Sequence, residues 1–174
     1  RNLEKFRTGQ TKRPDEEVIH YQVEMSESLD EIKEALLERK TGRVIYRDNL
    51  MVFQTAEGEC RFINFLGMDW HYAVSSQEGV NRYRVWFSSE VAGMLDQDTV
   101  YLAAFSLEKQ AMKDHAMILH SAYMCYKETA VLFSAPSETG KSTQADLWEK
   151  YRGTWTVNGD RSLLIREKDG WYAN

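Results

Sequence analysis

Apolar and polar positions alternate along "VIHYQVEM". Ile19, Tyr21, Val23 and Met25 share one side, the period-two signature of a strand. The next stretch, "SESLDEIKEALLERKTG", changes period. Leu29, Ile32, Leu36 and Leu37 form a stripe at helical spacing, Ser28 and Glu31 stand in capping-box spacing, and Gly42 follows as a stop. A helix of about three turns is predicted there. From residue 43 to residue 88 the pattern becomes short runs rich in Val, Ile, Phe, Tyr and Trp: "RVIYR", "LMVFQTA", "CRFINFLG", "WHYAVSS" and "NRYRVWFS". The clusters "RDN", "AEGE" and "SQEGV" punctuate them as turns, so an antiparallel meander is expected. Trp70, Tyr72, Tyr83 and Trp86 read as core aromatics of this sheet, with a peptide-recognition face as the alternative.

Beyond the meander the texture shifts again. "SLEKQAMKDHA" reads as a helix, and Met112 and Met117, five apart, read as core. "MILHSAYMCY" and "TAVLFSA" are two apolar strands joined by a tight "KE" connection. "KSTQADLWEKY" is a helix with Ala145, Trp148 and Tyr151 on one face, and "TWTVN" is a further strand ending in the turn signal "NGD". The division therefore runs as a polar arm over residues 1–17, a β-rich domain over 18–105 and a second domain over 106–174.

Composition narrows the picture without naming a chemistry. The chain has 174 residues, 43% hydrophobic and 28% charged, enough to bury a core without staples. A net charge of -5 leaves no broad basic face for nucleic acid. The one basic cluster, Arg1, Lys5, Arg7, Lys12 and Arg13, belongs to the polar arm. No window of 18 residues is continuously apolar, and no signal peptide is visible, so neither a membrane partner nor export is expected. Cys60 and Cys125 lie in or beside apolar runs and read as two buried thiols of a reducing, cytoplasmic compartment. The chain opens on Arg1 rather than Met and stops in the strand-like "DGWYAN", which reads as a fragment.

The chemistry is concentrated in "APSETGKS". Ala135, Gly140, Lys141 and Ser142 match [AG]-x-x-x-x-G-K-[ST], the phosphate-binding loop (P-loop, Walker A). The context agrees: "AVLFS" precedes it as a strand and "KSTQADLWEKY" follows as a helix, so that backbone amides and the helix N-terminus converge on one anion. Ala135 closes the strand, where a small residue suffices. Lys141, at an exposed helix start, is expected to reach phosphate oxygens, and Ser142 to ligate Mg²⁺. Thr143 and the positions Ser137, Glu138, Thr139, Gly140, Lys141 and Ser142 would line the nest. The partner carboxylate for the metal is Asp160. A helix of twelve residues climbs about 16 Å at roughly 1.5 Å per residue, and the following strand descends about 20 Å at roughly 3.3 Å per residue. A right-handed crossover then returns Asp160 to the mouth of the loop. The "VNGD" turn leaves Gly159 open to a left-handed backbone.

"ILHSAYMCYKETAVLFSAPSETGKSTQADLW", followed by "VNGDRSLL", resembles the HPr kinase/phosphoenolpyruvate carboxykinase-like superfamily, and among its members the bacterial HPr-serine-kinase-like proteins. The likeness covers about residues 117–170. It implies a compact core on a mixed sheet that uses ATP and Mg²⁺, with Lys141 and Ser142 as the nucleotide and metal contacts. His120 matches the family's histidine on the strand before the loop, and Asp160 the second aspartate of its paired "DD". The first aspartate, the acid/base of the family, is matched by Gly159. His20, His71 and His115 read as structural or surface residues.

Together these readings give an α/β chain, α+β overall: a mostly antiparallel N-terminal β domain with a helix, then a truncated HPr-kinase-like core with a mixed sheet. The expected activity is ATP- and Mg-dependent transfer of the γ-phosphoryl group to a protein side chain or a small hydroxyl acceptor. His120 and Asp160 are its catalytic residues, and homo-oligomers are in keeping with the resemblance. The alternative is a nucleotide-gated binding or assembly module without an acceptor base.

Overall fold

The structure is a computed structural model that describes residues 17–47, 49–97, 99–136 and 138–173. The polar arm, apart from Glu17, and Ser137 lie outside the described residues. Helices and two sheets make an α+β chain, 25% helical and 46% strand. It divides into two compact units between Leu107 and Glu108.

The first unit is a six-stranded sheet, ordered β1-β6-β5-β4-β3-β2. Its strands are β1 (His20–Ser26), β2 (Thr41–Arg47), β3 (Leu50–Gln54), β4 (Glu59–Asn64), β5 (His71–Gly79) and β6 (Arg82–Ser88). Strands β2 to β6 form the expected antiparallel meander. β1 joins β6 in parallel, with Val23 opposite Val85, so the mixed pairing belongs to this unit and not to the second. Because β1 is an edge strand, its Val23 and Met25 stay nearly half exposed. Both faces are covered. α1 (Asp30–Glu38) lays Leu29 and Leu36 over Phe53, Phe62 and Val74. On the opposite face, a 3-10 turn (Ser89–Met94) and α2 (Thr99–Ala104) bring Val91, Val100 and Tyr101 onto Ile63, Val85 and Phe87. β4 is thus buried on both sides: Cys60 and Phe62 enter one core and Ile63 the other, while buried Arg61 pairs with Glu59 at 2.7 Å.

Several expectations are corrected here. The N-cap of α1 is Leu29, without a side-chain cap, while Ser28 Oγ accepts from Asp30 N at 3.2 Å; the capping box is off by one residue. The 3-10 turn and α2 fall in a stretch for which the sequence pattern predicts no helix. Cys60 is fully buried as expected, whereas Cys125 is only half-buried. Met112 and Met117 are exposed, not core, because Met117 is already in a strand.

The second unit is built on β7 (Ala116–Tyr126), which follows α3 (Leu107–Lys113). β8 (Thr129–Ser134) pairs antiparallel with β7 through a two-residue turn in which Lys127 and Glu128 have φ of 47° and 64°. The other edge of β7 carries β9 (Trp155–Asn158) and β10 (Arg161–Arg166), one antiparallel path bent at Gly159 and Asp160. β11 (Trp171–Ala173) adds to β10, also antiparallel. Every described pairing of this unit is therefore antiparallel, which corrects the expected mixed sheet. α4 (Lys141–Arg152) packs Ala145 on Ala122 and Met124, with Trp148 beside them; Tyr151 is exposed, off the expected stripe. The helix ends in a left-handed Gly153 whose N–H reaches Glu149 O, with Lys150 and Arg152 in the last turn. No helix among the described residues is long and apolar enough to cross a membrane.

Candidate functional site

The site is made where β8 leaves the sheet. Its last residue, Ser134, sits opposite Ser121, so the chain departs beside His120, and Ser134 Oγ donates to His120 O at 3.1 Å. The loop then turns through Glu138, with φ of 64°, and Gly140, with φ of 89°, into α4. Gly140 owes its identity to backbone conformation alone, since a Cβ there would meet nothing within 4 Å. Glu138 pays a strain of about 1 kcal/mol for the same left-handed region. Gly140 is also the N-cap of α4 and offers no side chain, and the first turn holds no acidic residue. The leading amides of a helix lack intrahelical acceptors, so this N-terminus presents donors to an anion.

Lys141 is 9% exposed, not at an exposed helix start as its place in the sequence suggests. Its Nζ curls inward and donates to Ala135 O and Pro136 O, both at 3.0 Å. Thr139 Oγ1 donates to Pro136 O at 2.6 Å. Lys141 and Thr139 thus close the loop on itself and hold one positive charge at its centre.

Across from the loop lies the bend of the β9–β10 path. Asn158 Oδ1 accepts from Asp160 N at 2.9 Å and from Arg161 N at 3.0 Å, an Asx turn. Ser121 N donates to Asp160 O at 3.0 Å. These bonds fix the backbone of Asp160 next to His120, whose Nε2 is 3.2 Å from Asp160 Oδ1. Arg161 Nε lies 3.4 Å from Asp160 Oδ2, without hydrogen-bond alignment. With the Asp160 side chain 62% exposed, these pairs orient the carboxylate and add little stability. Gly159 is not in the left-handed region, and a Cβ there would meet nothing within 4 Å.

His120, Glu138, Gly140, Lys141, Ser142, Thr143, Gly159 and Asp160 line one open cleft of about 390 Å³. Of the other loop positions read from sequence, Ala135 contributes its carbonyl to Lys141 and Thr139 braces the turn; neither lines the cleft. Asp160 does return to the loop: β8 and β9 both run antiparallel to β7, so they run parallel to each other on its two edges, as a crossover through α4 requires. Asn158 and Arg161 join the site in addition to the residues that the sequence predicts for it. The "NGD" signal that identifies a turn also marks Asn158 as its side-chain acceptor, whereas nothing in the pattern flags Arg161. A larger open hollow, about 620 Å³, lies at His115 and the turn after β10; side chains of both signs line it, without the convergent loop amides.

Among the described residues no group of three or more His, Cys, Asp or Glu could hold a metal ion. Of the oxygen-bearing side chains in the cleft, Ser142 and Asp160 are the pair read from the sequence as metal ligands. That set fits a hard cation such as Mg²⁺, which commonly takes one or two protein oxygens and completes its shell with phosphate and water. It does not fit a self-contained metal centre.

No family model matches the chain, and neither a curated protein nor a solved structure matches it.

Proposed function

We propose that the cleft binds ATP with Mg²⁺ and that the protein is a phosphotransferase acting on a hydroxyl group of a protein side chain or a small molecule. One observation carries this reading: a phosphate loop with an uncapped helix N-terminus and a buried lysine faces an oriented carboxylate–histidine pair across a single cleft. The resemblance to HPr-serine-kinase-like proteins supports the same class. Phosphoryl transfer asks a protein mainly for positioning and charge neutralisation. The amides at the start of α4 and the Lys141 ammonium would hold the phosphates. Ser142 and Asp160 would hold Mg²⁺, which when bound neutralises charge on the β- and γ-phosphoryl oxygens. His120 keeps Asp160 aimed into the cleft through its 3.2 Å contact.

The test is thermal. A ligand that binds only the folded state stabilises it by about 2.7 kcal/mol at a hundred times its Kd, roughly 5–10 °C for a chain of this size. Lys141→Met, which keeps the buried stem, should remove most of the shift given by ATP·Mg²⁺. Asp160→Asn should remove the part that depends on Mg²⁺. An equal shift in parent and Lys141→Met rejects the assignment. A retained shift with no turnover on any hydroxyl acceptor selects the nucleotide-gated binding module instead.

A further inference from the structure

We infer that Glu138 accepts the proton of the acceptor hydroxyl, an assignment that rests on the phosphotransferase reading above. Three groups lining the cleft can take up a proton: His120, Asp160 and Glu138. The first two are committed to each other at 3.2 Å, and Asp160 also faces Arg161 at 3.4 Å. Glu138 is exposed, and no described residue gives its carboxylate a hydrogen bond or ion pair. It is the one carboxylate of the cleft without a described partner.

The backbone at this position makes the choice of residue informative. Glu138 has φ of 64°, in the left-handed region where glycine sits without strain. A loop that only bound phosphate would gain from glycine twice, through lost strain and through the absence of a negative charge beside an anion. Strain kept at a cleft points to a task for the side chain. A glutamate there can serve as general base if the acceptor approaches from the loop side.

The step balances simply. The acceptor O–H gives its proton to a Glu138 carboxylate oxygen while the acceptor oxygen forms the new bond to the γ-phosphorus. The bond from that phosphorus to the bridging oxygen breaks, ADP departs with the electron pair, and Glu138 later returns the proton to water. The substrate class that this step serves is an alcohol, such as a serine or a small polyol, whose hydroxyl proton needs a base in order to leave.

The experiment compares the full chain with Glu138→Gln and Glu138→Gly. Each is given γ-labelled ATP and Mg²⁺, with water and a mixture of serine-containing peptides as acceptors. Both variants should lose about a hundredfold or more in turnover while keeping the ATP·Mg²⁺ thermal shift. Glu138→Gly should also melt about 2–4 °C above the parent, since it relieves the backbone. Faster failure of activity in a more stable protein is an outcome that a scaffolding glutamate cannot give. Turnover within a few-fold of the parent in both variants overturns the assignment, as does a lower melting temperature for Glu138→Gly. A parent that binds ATP without turning over any acceptor also overturns it and leaves nucleotide binding standing. A parent without the thermal shift removes the nucleotide reading itself.

Discussion

The two units spend their sequence differently. The first buries large side chains on both faces of its sheet: Phe53, Phe62, Ile63, Val74, Val85 and Phe87 are all at most 2% exposed. The second has a thin core of Ala122, Met124 and Ala145 under α4. Its remaining interior is partly polar, with Ser121 and Ser162 fully buried and joined at 2.8 Å. A two-faced sheet with helices on each side can use volume for stability. A sheet whose one strand carries His120 into a cleft must keep that part of its surface for polar groups. Stability and chemistry are thus drawn from separate stretches of one chain.

The sharpest way to break this contrast is in the first unit. Phe87→Ala removes a fully buried ring that stacks on Tyr72 and meets Tyr101 edge-on. It should cost about 3–5 kcal/mol, read as a lower denaturant midpoint. A loss below 1 kcal/mol would mean that the aromatic core is not what holds this unit. In the second unit a smaller effect comes from backbone strain. Glu128→Gly relieves one of the two left-handed residues in the β7–β8 turn and should stabilise by roughly 0.5–1 kcal/mol. No change on thermal melting would show that the turn is not strained.

The smallest effect is a pH slope in the first unit. Burial against Phe62, helped by Lys33, holds the His71 imidazole below its ordinary value. In the folded state His71 therefore binds fewer protons than in the unfolded chain, and stability rises with pH. Its contribution is complete above the ordinary value of about 6.5 and is lost as pH falls from there through the lowered folded value. His71→Asn should flatten the slope of stability between pH 7 and pH 5. An unchanged slope would move the effect to another group. At the alkaline end the Tyr72 hydroxyl, pushed up to about 12 by burial, acts in the opposite sense. It favours the fold below pH about 10 and loses that support above it.

What was legible in the sequence follows the range of each interaction. The strand runs of the meander and the tight "KE" turn are local patterns that stand where the sequence places them, as do Leu29, Ile32 and Leu36 of the α1 stripe, whereas Leu37 is exposed. The strand, loop and helix around Lys141 were equally local. Pairing across distance was not. β1 crosses α1 to lie beside β6, and the sequence of β1 carries no mark of a parallel partner 62 residues away, as between Val23 and Val85. The burial of Lys141 also escaped, because a lysine that folds back onto carbonyls of its own loop looks in sequence like any lysine at a helix start. Exposed Tyr151 and Met112 show the converse: apolar residues at plausible spacing that no neighbour covers. At the cleft, residue types announced the anion-binding loop, whereas the meeting of His120 with Asp160 depended on a bend held by Asn158.

That bend sets a timetable for how the second unit opens. Between Tyr123 and Cys125, β7 is hydrogen-bonded on both edges, to β8 and to β9. β11 is three residues long; it pairs only with β10 among the described strands and takes one further bond, from the Tyr123 hydroxyl to Ala173 O at 3.2 Å. Deuterium should enter the amides of β11 first and those of central β7 last, as layers peel from the outer edge inward. His120 and Asp160 both lie outside that doubly bonded stretch, at the bend where Ser121 N donates to Asp160 O and His120 pairs with Arg161, so the two should become accessible together, after β11 and before central β7.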